Sequence, residues 1–354
     1  MISTADIQIQ RIDKSRITEV DFNNLPFGRV FSDHMFCVDF ADGKWQNAKI
    51  IPYQNLYLSP AVSVIHYGQT IFEGMKAYRS ASGEINLFRP EANAARFNQS
   101  AHRMCMPEIP EDLFIEGLKQ LLQVDSEWVP RQDGCSLYIR PFMFATDEYI
   151  GIRPSDNYKF IIFTCPVGAY YSEPLKVSLE MEYARAIKGG TGEAKAGGNY
   201  AAALYPAKLK QAKGYHQLVW TDAAEHKYIE ESGTMNLFFQ IDDTLVTPLP
   251  EGSILKGITR DSLMVLAKDM GLKLEERRVS VEEVKNAFEQ GRMKDAFGAG
   301  TAATIAHIHI FNIGDKDYQL PPMEERTLSN KLRDRLNAIR TGTAEDQFGW
   351  IVKI

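Results

Sequence analysis

The 354-residue chain has only four cysteines, Cys37, Cys105, Cys135 and Cys165, and no two of them form a CxxC pair. Such spacing argues against a disulfide frame or a zinc site and for reduced, mostly buried thiols. No uncharged apolar stretch reaches the ~20 residues that a membrane-crossing helix needs. The opening Met1-Ile2-Ser3-Thr4-Ala5-Asp6 lacks the apolar run of a signal peptide, and Asp6, Asp13 and Glu19 argue against an acidic-poor transit peptide. Together these absences point to a cytoplasmic protein. There is no basic excess either: 40 Lys and Arg face 46 Asp and Glu, so nucleic acid is not an expected partner. The histidines make no metal case. His307 and His309 share one face of a predicted strand, but the other five are scattered and no third ligand is in view.

What is present suits about two ordinary domains, with 44% hydrophobic and 24% charged residues. Val64–Tyr67 and Met75–Tyr78 read as strand ends around turns at Gly68 and Gly74. Pro90 can open a helix whose apolar stripe is Ala94, Phe97, Ala101 and Met104. Another helix follows Pro110, with Phe114, Leu118, Leu121 and Leu122 on one face. Phe160–Cys165 reads as a buried strand. The punctuation after it, Pro166 to Pro174, marks a domain boundary near residue 170. Farther on, Thr234–Gln240 and Thr244–Thr247 flank Asp242-Asp243 as a hairpin. Ser280 and Glu283 form a capping box for a helix that Gly291 closes. Leu328, Leu332, Leu336 and Ile339 mark a last helix. Strands and helices mixed without regular βαβ alternation predict an α+β fold.

Chemistry concentrates in a few segments. Glu193-Ala194-Lys195-Ala196-Gly197-Gly198-Asn199-Tyr200 sets a lysine among glycines that let backbone approach a planar ligand. A lysine amine can condense with a carbonyl when its surroundings expose the lone pair. Walker spacing is absent, because Gly192 and Lys195 are separated and Ala196 follows, so a nucleotide loop is not expected. Phe88-Arg89-Pro90 leads to Arg96 just inside a helix. Tyr138 and Arg140 share one face of a strand, since side chains alternate. Glu230-Glu231-Ser232-Gly233-Thr234 sets a carboxylate and hydroxyls around a turn. Gly257-Ile258-Thr259 starts a helix, where unpaired N–H groups and the helix dipole favour an anion. Phe297 to Ala303 is a second small-residue turn. Singly, each feature except Gly257 to Thr259 is also explained by loops and solvated charges. As a set they suit a phosphorylated aldehyde cofactor, pyridoxal 5′-phosphate.

Over nearly its whole length the chain resembles the branched-chain amino acid aminotransferases of the fold-type IV pyridoxal-phosphate enzymes. The resemblance is carried by Phe72 to Tyr78, Ser136 to Pro141, Cys165 to Tyr170, Lys195 to Tyr200, Glu231 to Asn236, Leu255 to Ser262 and Gly298 to Ala302. It implies a two-domain α+β enzyme of the D-amino acid aminotransferase-like fold, with its active site at the domain interface. The expected domains are 1–170, the smaller, a linker near 166–176, and 177–354, the larger, carrying the lysine. By the same resemblance Lys195 is the Schiff-base lysine and the base that moves the substrate Cα proton. Glu231 faces the pyridine nitrogen, with Glu230 pointing elsewhere, and Tyr200 bonds the cofactor's phenolic oxygen. Arg96 and the N–H groups of Ile258 and Thr259 hold the phosphate, with Thr301 nearby.

The substrate α-carboxylate is expected against the Thr301-Ala302 turn, with Thr234, Tyr138 and Arg140 close by. Branched side chains are expected against Phe27, Tyr67, Phe72 and Tyr200, with Tyr67 contributed across a homodimer. Lys76 and Lys188 receive no chemical role. A CxxC pair that some members carry after the Gly298 turn is absent, with Ala303 and Ala306 in its place, so no thiol switch is expected there. The implied reaction is reversible amino transfer between leucine, isoleucine or valine and 2-oxoglutarate. D-Amino acid aminotransferases and aminodeoxychorismate lyases are the alternatives that share the fold.

Overall fold

A computed structural model describes residues 7–168, 170–171 and 173–354; Met1–Asp6, Ala169 and Ser172, which include parts of the expected leaderless start and linker, lie outside the described residues. Contacts divide the chain into two units, Met1–Tyr170 with Ala194–Gly198 and Ile339–Ile354, and Tyr171–Glu193 with Asn199–Ala338. The division at Tyr170 falls beside the Pro166–Pro174 punctuation. Two segments depart from the expected 1–170 and 177–354 domains. Lys195 groups with the first unit, because Phe72 N–H donates to the Lys195 carbonyl at 3.0 Å and Ala196 bridges Ile71. The C-terminus also returns there, since Ile351–Lys353 pairs antiparallel with Ile85–Phe88. The first unit is therefore the larger of the two.

The first unit is built on a nine-stranded sheet whose centre is the long antiparallel pair Ser136–Ala145 and Tyr158–Val167. Two helices, Pro90–Arg103 and Glu111–Val124, bury one face each. Ala94, Phe97 and Ala101 on the first, and Phe114, Leu118, Leu121 and Leu122 on the second, are fully buried in one core with Phe36, Phe160 and Ile162. The expected strand end at Val64–Tyr67 is instead a one-turn helix, Ser63–Tyr67, ended by Gly68 at φ 66°. The glycine turn beside it suggested a strand end, but the Ser63 N–H is taken by the Asp147 carbonyl at 2.8 Å, and Ile65 stays exposed.

The second unit also carries a nine-stranded sheet, and six of its strands close into a ring. Ile229–Ser232 pairs with Gln217–Thr221 on one side and Met235–Ile241 on the other. The Asp242-Asp243 hairpin forms as read, with Asp242 at φ 54° and Ile241 opposite Thr244. Ser280 caps Val281–Glu289 by accepting from Glu283 N–H at 3.0 Å. The helix Thr327–Arg340 buries Leu328, Leu332, Leu336 and Ile339. Among the described residues no helix is long and apolar enough to cross a membrane.

Candidate active site

In the first unit, Lys195 ends a loop that docks on the helix Pro90–Arg103. Its backbone N–H donates to Ser100 Oγ at 3.0 Å, and Ser100 Oγ in turn donates to the Arg96 carbonyl at 3.1 Å. The Lys195 Nζ lies 4.9 Å from the Phe72 ring centroid. Gly197 is needed where it stands, since a Cβ there would lie 2.8 Å from the Thr70 methyl.

Arg96, the expected phosphate arginine, makes a two-point pair with Glu73: Nε to Oε1 at 2.7 Å and NH2 to Oε2 at 2.8 Å. Glu73 is fully buried. Burial pushes its carboxyl up, but the Arg96 charge and hydrogen bond, the Lys195 charge and the Asn93 amide outweigh this and hold it below the usual carboxylate range. Glu73 is thus an ionised residue that sequence reasoning left without a role. It stood inside the Phe72–Tyr78 segment, but its side-chain partners, Asn93 and Arg96, are twenty or more residues away in the chain.

Tyr138 and Arg140 do share a face, as alternation required. Arg140 NH2 donates to the Tyr138 hydroxyl at 3.0 Å, and the guanidinium carbon sits 4.6 Å from the Phe72 centroid. Phe27 packs edge-on against Tyr138 at 5.1 Å and Tyr170 at 4.7 Å. The buried Arg140 Nε has no hydrogen-bond partner among the described residues, so one buried donor of this guanidinium is left over. Lys76 pairs opposite Tyr138 in the sheet. Burial, then the Arg340 charge, lowers its amine to about 7. Tyr67 is exposed beside the sheet, at the end of the helix Ser63–Tyr67.

The second unit gathers the other expected residues. Tyr200 lies on the short helix Gly197–Ala202. Glu231, on the strand that closes the ring, is buried and accepts from the Leu255 N–H at 2.6 Å. Arg185 Nε stands 3.5 Å from its other oxygen, and Asn236 Nδ2 is 3.4 Å from Oε1. Glu230 does point elsewhere, bonding the Ser253 hydroxyl; burial raises its carboxyl against that bond and the Arg185 charge.

Asn236 also donates to the Leu255 carbonyl at 2.9 Å, which ties Glu231 to the loop entering the helix Ile258–Asp269. That helix starts at Gly257 with no side-chain cap, so the Ile258 and Thr259 N–H groups keep the anion-binding character of a helix start. The turn expected over Phe297 to Ala303 is shorter than that: Met293–Gly300 is a strand, with Ala299 paired to Asn236, and only residues 301–303 turn; a Cβ on Gly300 would lie 3.7 Å from the Thr234 carbonyl. Thr234, Thr301 and Ala302 therefore sit at one end of this sheet. A buried fixed carboxylate, an uncapped helix start and close-packed glycines suit a phosphorylated heteroaromatic ring. Of the two residues that hold Glu231, Asn236 stood inside the Glu231–Asn236 segment without a role of its own, and Arg185 carried no signal in the sequence. His307 is packed rather than ligating, near Ser329, Arg326 and Arg333, and burial first and these arginines second lower it to about 4.

The first unit thus presents a lysine on a small-residue loop, and the second, by itself, a held carboxylate and an anion-binding helix start. Residues 70–310 match the family described as amino-transferase class IV, and the chain belongs to it. It is 47% identical over 338 residues to branched-chain-amino-acid aminotransferase 2 of Bacillus subtilis, covering 94% of this chain and 93% of that protein. It superposes on the branched-chain amino acid aminotransferase of Escherichia coli with TM-score 0.73 at 26% identity, over 90% of this chain and 98% of that one. Another branched-chain amino acid aminotransferase, solved with pyridoxamine 5′-phosphate, shares the fold at 23% identity and TM-score 0.74, over 92% of this chain and 99% of that one.

Proposed function

We propose that this chain transfers the amino group of leucine, isoleucine or valine to 2-oxoglutarate, reversibly, giving branched-chain 2-oxo acids and L-glutamate. The observation that carries the proposal is the aromatic face of Phe27, Phe72 and Tyr138 with one arginine set in it. One wall must accept an aliphatic side chain in one half-reaction and a second carboxylate in the other. Arg140, whose guanidinium stacks on Phe72 and bonds Tyr138, offers charge without displacing apolar surface.

Pyridoxal 5′-phosphate, when bound, supplies an electrophilic carbon and a ring that accepts electrons from substrate Cα. Lys195 would hold it through Nζ, and its amine is placed by this reading to move the proton that leaves substrate Cα. Glu231 would keep a proton on the ring nitrogen, and Tyr200 would hydrogen-bond the phenolic oxygen. Arg96, Ile258 N–H, Thr259 and Thr301 hold the phosphate. Thr234, Thr301 and Ala302 orient the substrate carboxylate.

The enzyme is read as a cytoplasmic homodimer to which each copy lends Tyr67. Support for a dimer comes from exposed apolar residues on neighbouring segments. Tyr57, Ile65, Ile150 and Ile152 are exposed, and Val62 bridges Glu148 between the two segments. A panel of amino donors with 2-oxoglutarate tests the function. L-Leucine, L-isoleucine and L-valine should turn over, D-alanine should not, and Lys195→Ala should remove turnover. Turnover of D-alanine in preference to the branched L-amino acids would refute the proposal.

A further inference from the structure

We infer that Glu73 is the positioning residue for the cofactor phosphate, acting through Arg96; the inference rests on the phosphate role proposed for that arginine. Four donors converge on its two oxygens. Arg96 Nε reaches Oε1 at 2.7 Å; Arg96 NH2 and Asn93 Nδ2 each reach Oε2 at 2.8 Å, and Gly74 N–H reaches it at 3.1 Å. A fully buried carboxylate saturated in this way cannot swing, so it fixes the plane and rotation of the guanidinium bonded to it. Two donors of the guanidinium, Nε and NH2, are committed to Glu73, so its orientation is set by the protein rather than by the ligand, which spares the ligand the cost of ordering a long side chain.

The same helix is bound to the lysine loop through Ser100, so Glu73, Arg96 and Lys195 are held by one short element. Glu73 also balances charge. The Arg96 and Lys195 charges both act on its carboxyl.

The test uses the cofactor-free full-length protein and three probes: pyridoxal 5′-phosphate, pyridoxal and inorganic phosphate. Binding is followed by absorbance for the two aldehydes and by protection against thermal unfolding for phosphate. Outer partners of metal ligands typically cost 10–100-fold in affinity when removed, and a similar loss of about 10–100-fold is expected here for Glu73→Gln with both phosphate-bearing probes. Pyridoxal affinity should stay within a few-fold, Glu73→Asp should recover part of the loss, and Glu73→Gln should add little in an Arg96→Ala background. Should Glu73→Gln not fold, Asn93→Ala removes one of the donors on Oε2 and should show the same selectivity at smaller size. Equal losses for pyridoxal and its phosphate, or unchanged phosphate binding, would overturn the inference. If Arg96→Ala itself leaves phosphate binding intact, the proposed role of Arg96 fails instead, and the two failures are separable.

Discussion

Replacing Gly257 with alanine should damage the anion end of the helix Ile258–Asp269 out of proportion to one methyl group. The backbone at Gly257 is ordinary, φ −68° and ψ 129°, so no strain arises from conformation. What the methyl meets is the Asn236 side chain. Its Cγ would lie 3.2 Å away, with Oδ1 much closer still, and Arg260 Cβ at 3.3 Å blocks the other side. Reaching ordinary contact at ~3.5 Å requires the amide oxygen to retreat by more than about 1 Å. Asn236 is pinned, however, by the Leu255 carbonyl at 2.9 Å and the Glu231 carboxylate at 3.4 Å. Moving it breaks both bonds in a buried setting, at a cost of about 2–4 kcal/mol. Denaturant unfolding of the cofactor-free protein should show that loss, and pyridoxal 5′-phosphate affinity should fall with it. An Asn236→Ser background, which removes the obstructing amide, should reduce the added cost of the alanine by more than half. A Gly257→Ala protein with unchanged stability and unchanged cofactor affinity would refute the reasoning.

Gly117→Ala tests the same logic in the first core: alanine normally favours a helix interior, but a Cβ here would press on the Phe36 ring, with Cδ1 at 2.8 Å, so a net loss of about 1–3 kcal/mol is expected in denaturant unfolding. Arg326 is buried, donating to the Ile308 and Pro321 carbonyls at 2.7 Å and standing 3.5 Å from the buried Asp295. Arg326→Leu leaves that carboxylate unpaired and should cost about 3–5 kcal/mol by the same measurement. His307 titrates near 4 when folded against 6.5 when unfolded. The unfolded chain thus binds the extra proton between those values, so His307 contributes its stability fully above pH 6.5 and loses it as pH falls towards 4. That difference corresponds to about 3 kcal/mol, and His307→Gln should flatten this limb of a stability-against-pH curve.

Much of the fold was legible because its cues are local. Pro90 and Pro110 announce helices whose apolar residues recur at helical spacing, and Ser280 with Glu283 is a cap that needs no tertiary knowledge. The helix at Ser63–Tyr67 was missed for the complementary reason. One turn is too short for periodicity to register, and a contact to Asp147, more than eighty residues on, decides its conformation. The allegiance of Lys195 was hidden in the same way. Nothing within ten residues of it indicates that its loop pairs with Ile71 and Phe72 or docks on Ser100.

The site divides along the same line. Groups whose role follows from the backbone, such as the helix start at Gly257 or the strand face shared by Tyr138 and Arg140, could be placed from residue spacing. Groups whose role is to hold another side chain could not, because Glu73, Arg185, Asn236 and Ser100 gain meaning only from partners brought in by the fold. Burial is what makes those partners matter. In water Glu73 would be a solvated carboxylate of no consequence to Arg96, whereas inside the protein neither charge is tolerable without the other. A sequence can therefore show an arginine near the start of a helix, but not the buried carboxylate that keeps it in place. A substitution at Glu73 should accordingly be felt at the phosphate before it is felt at the substrate.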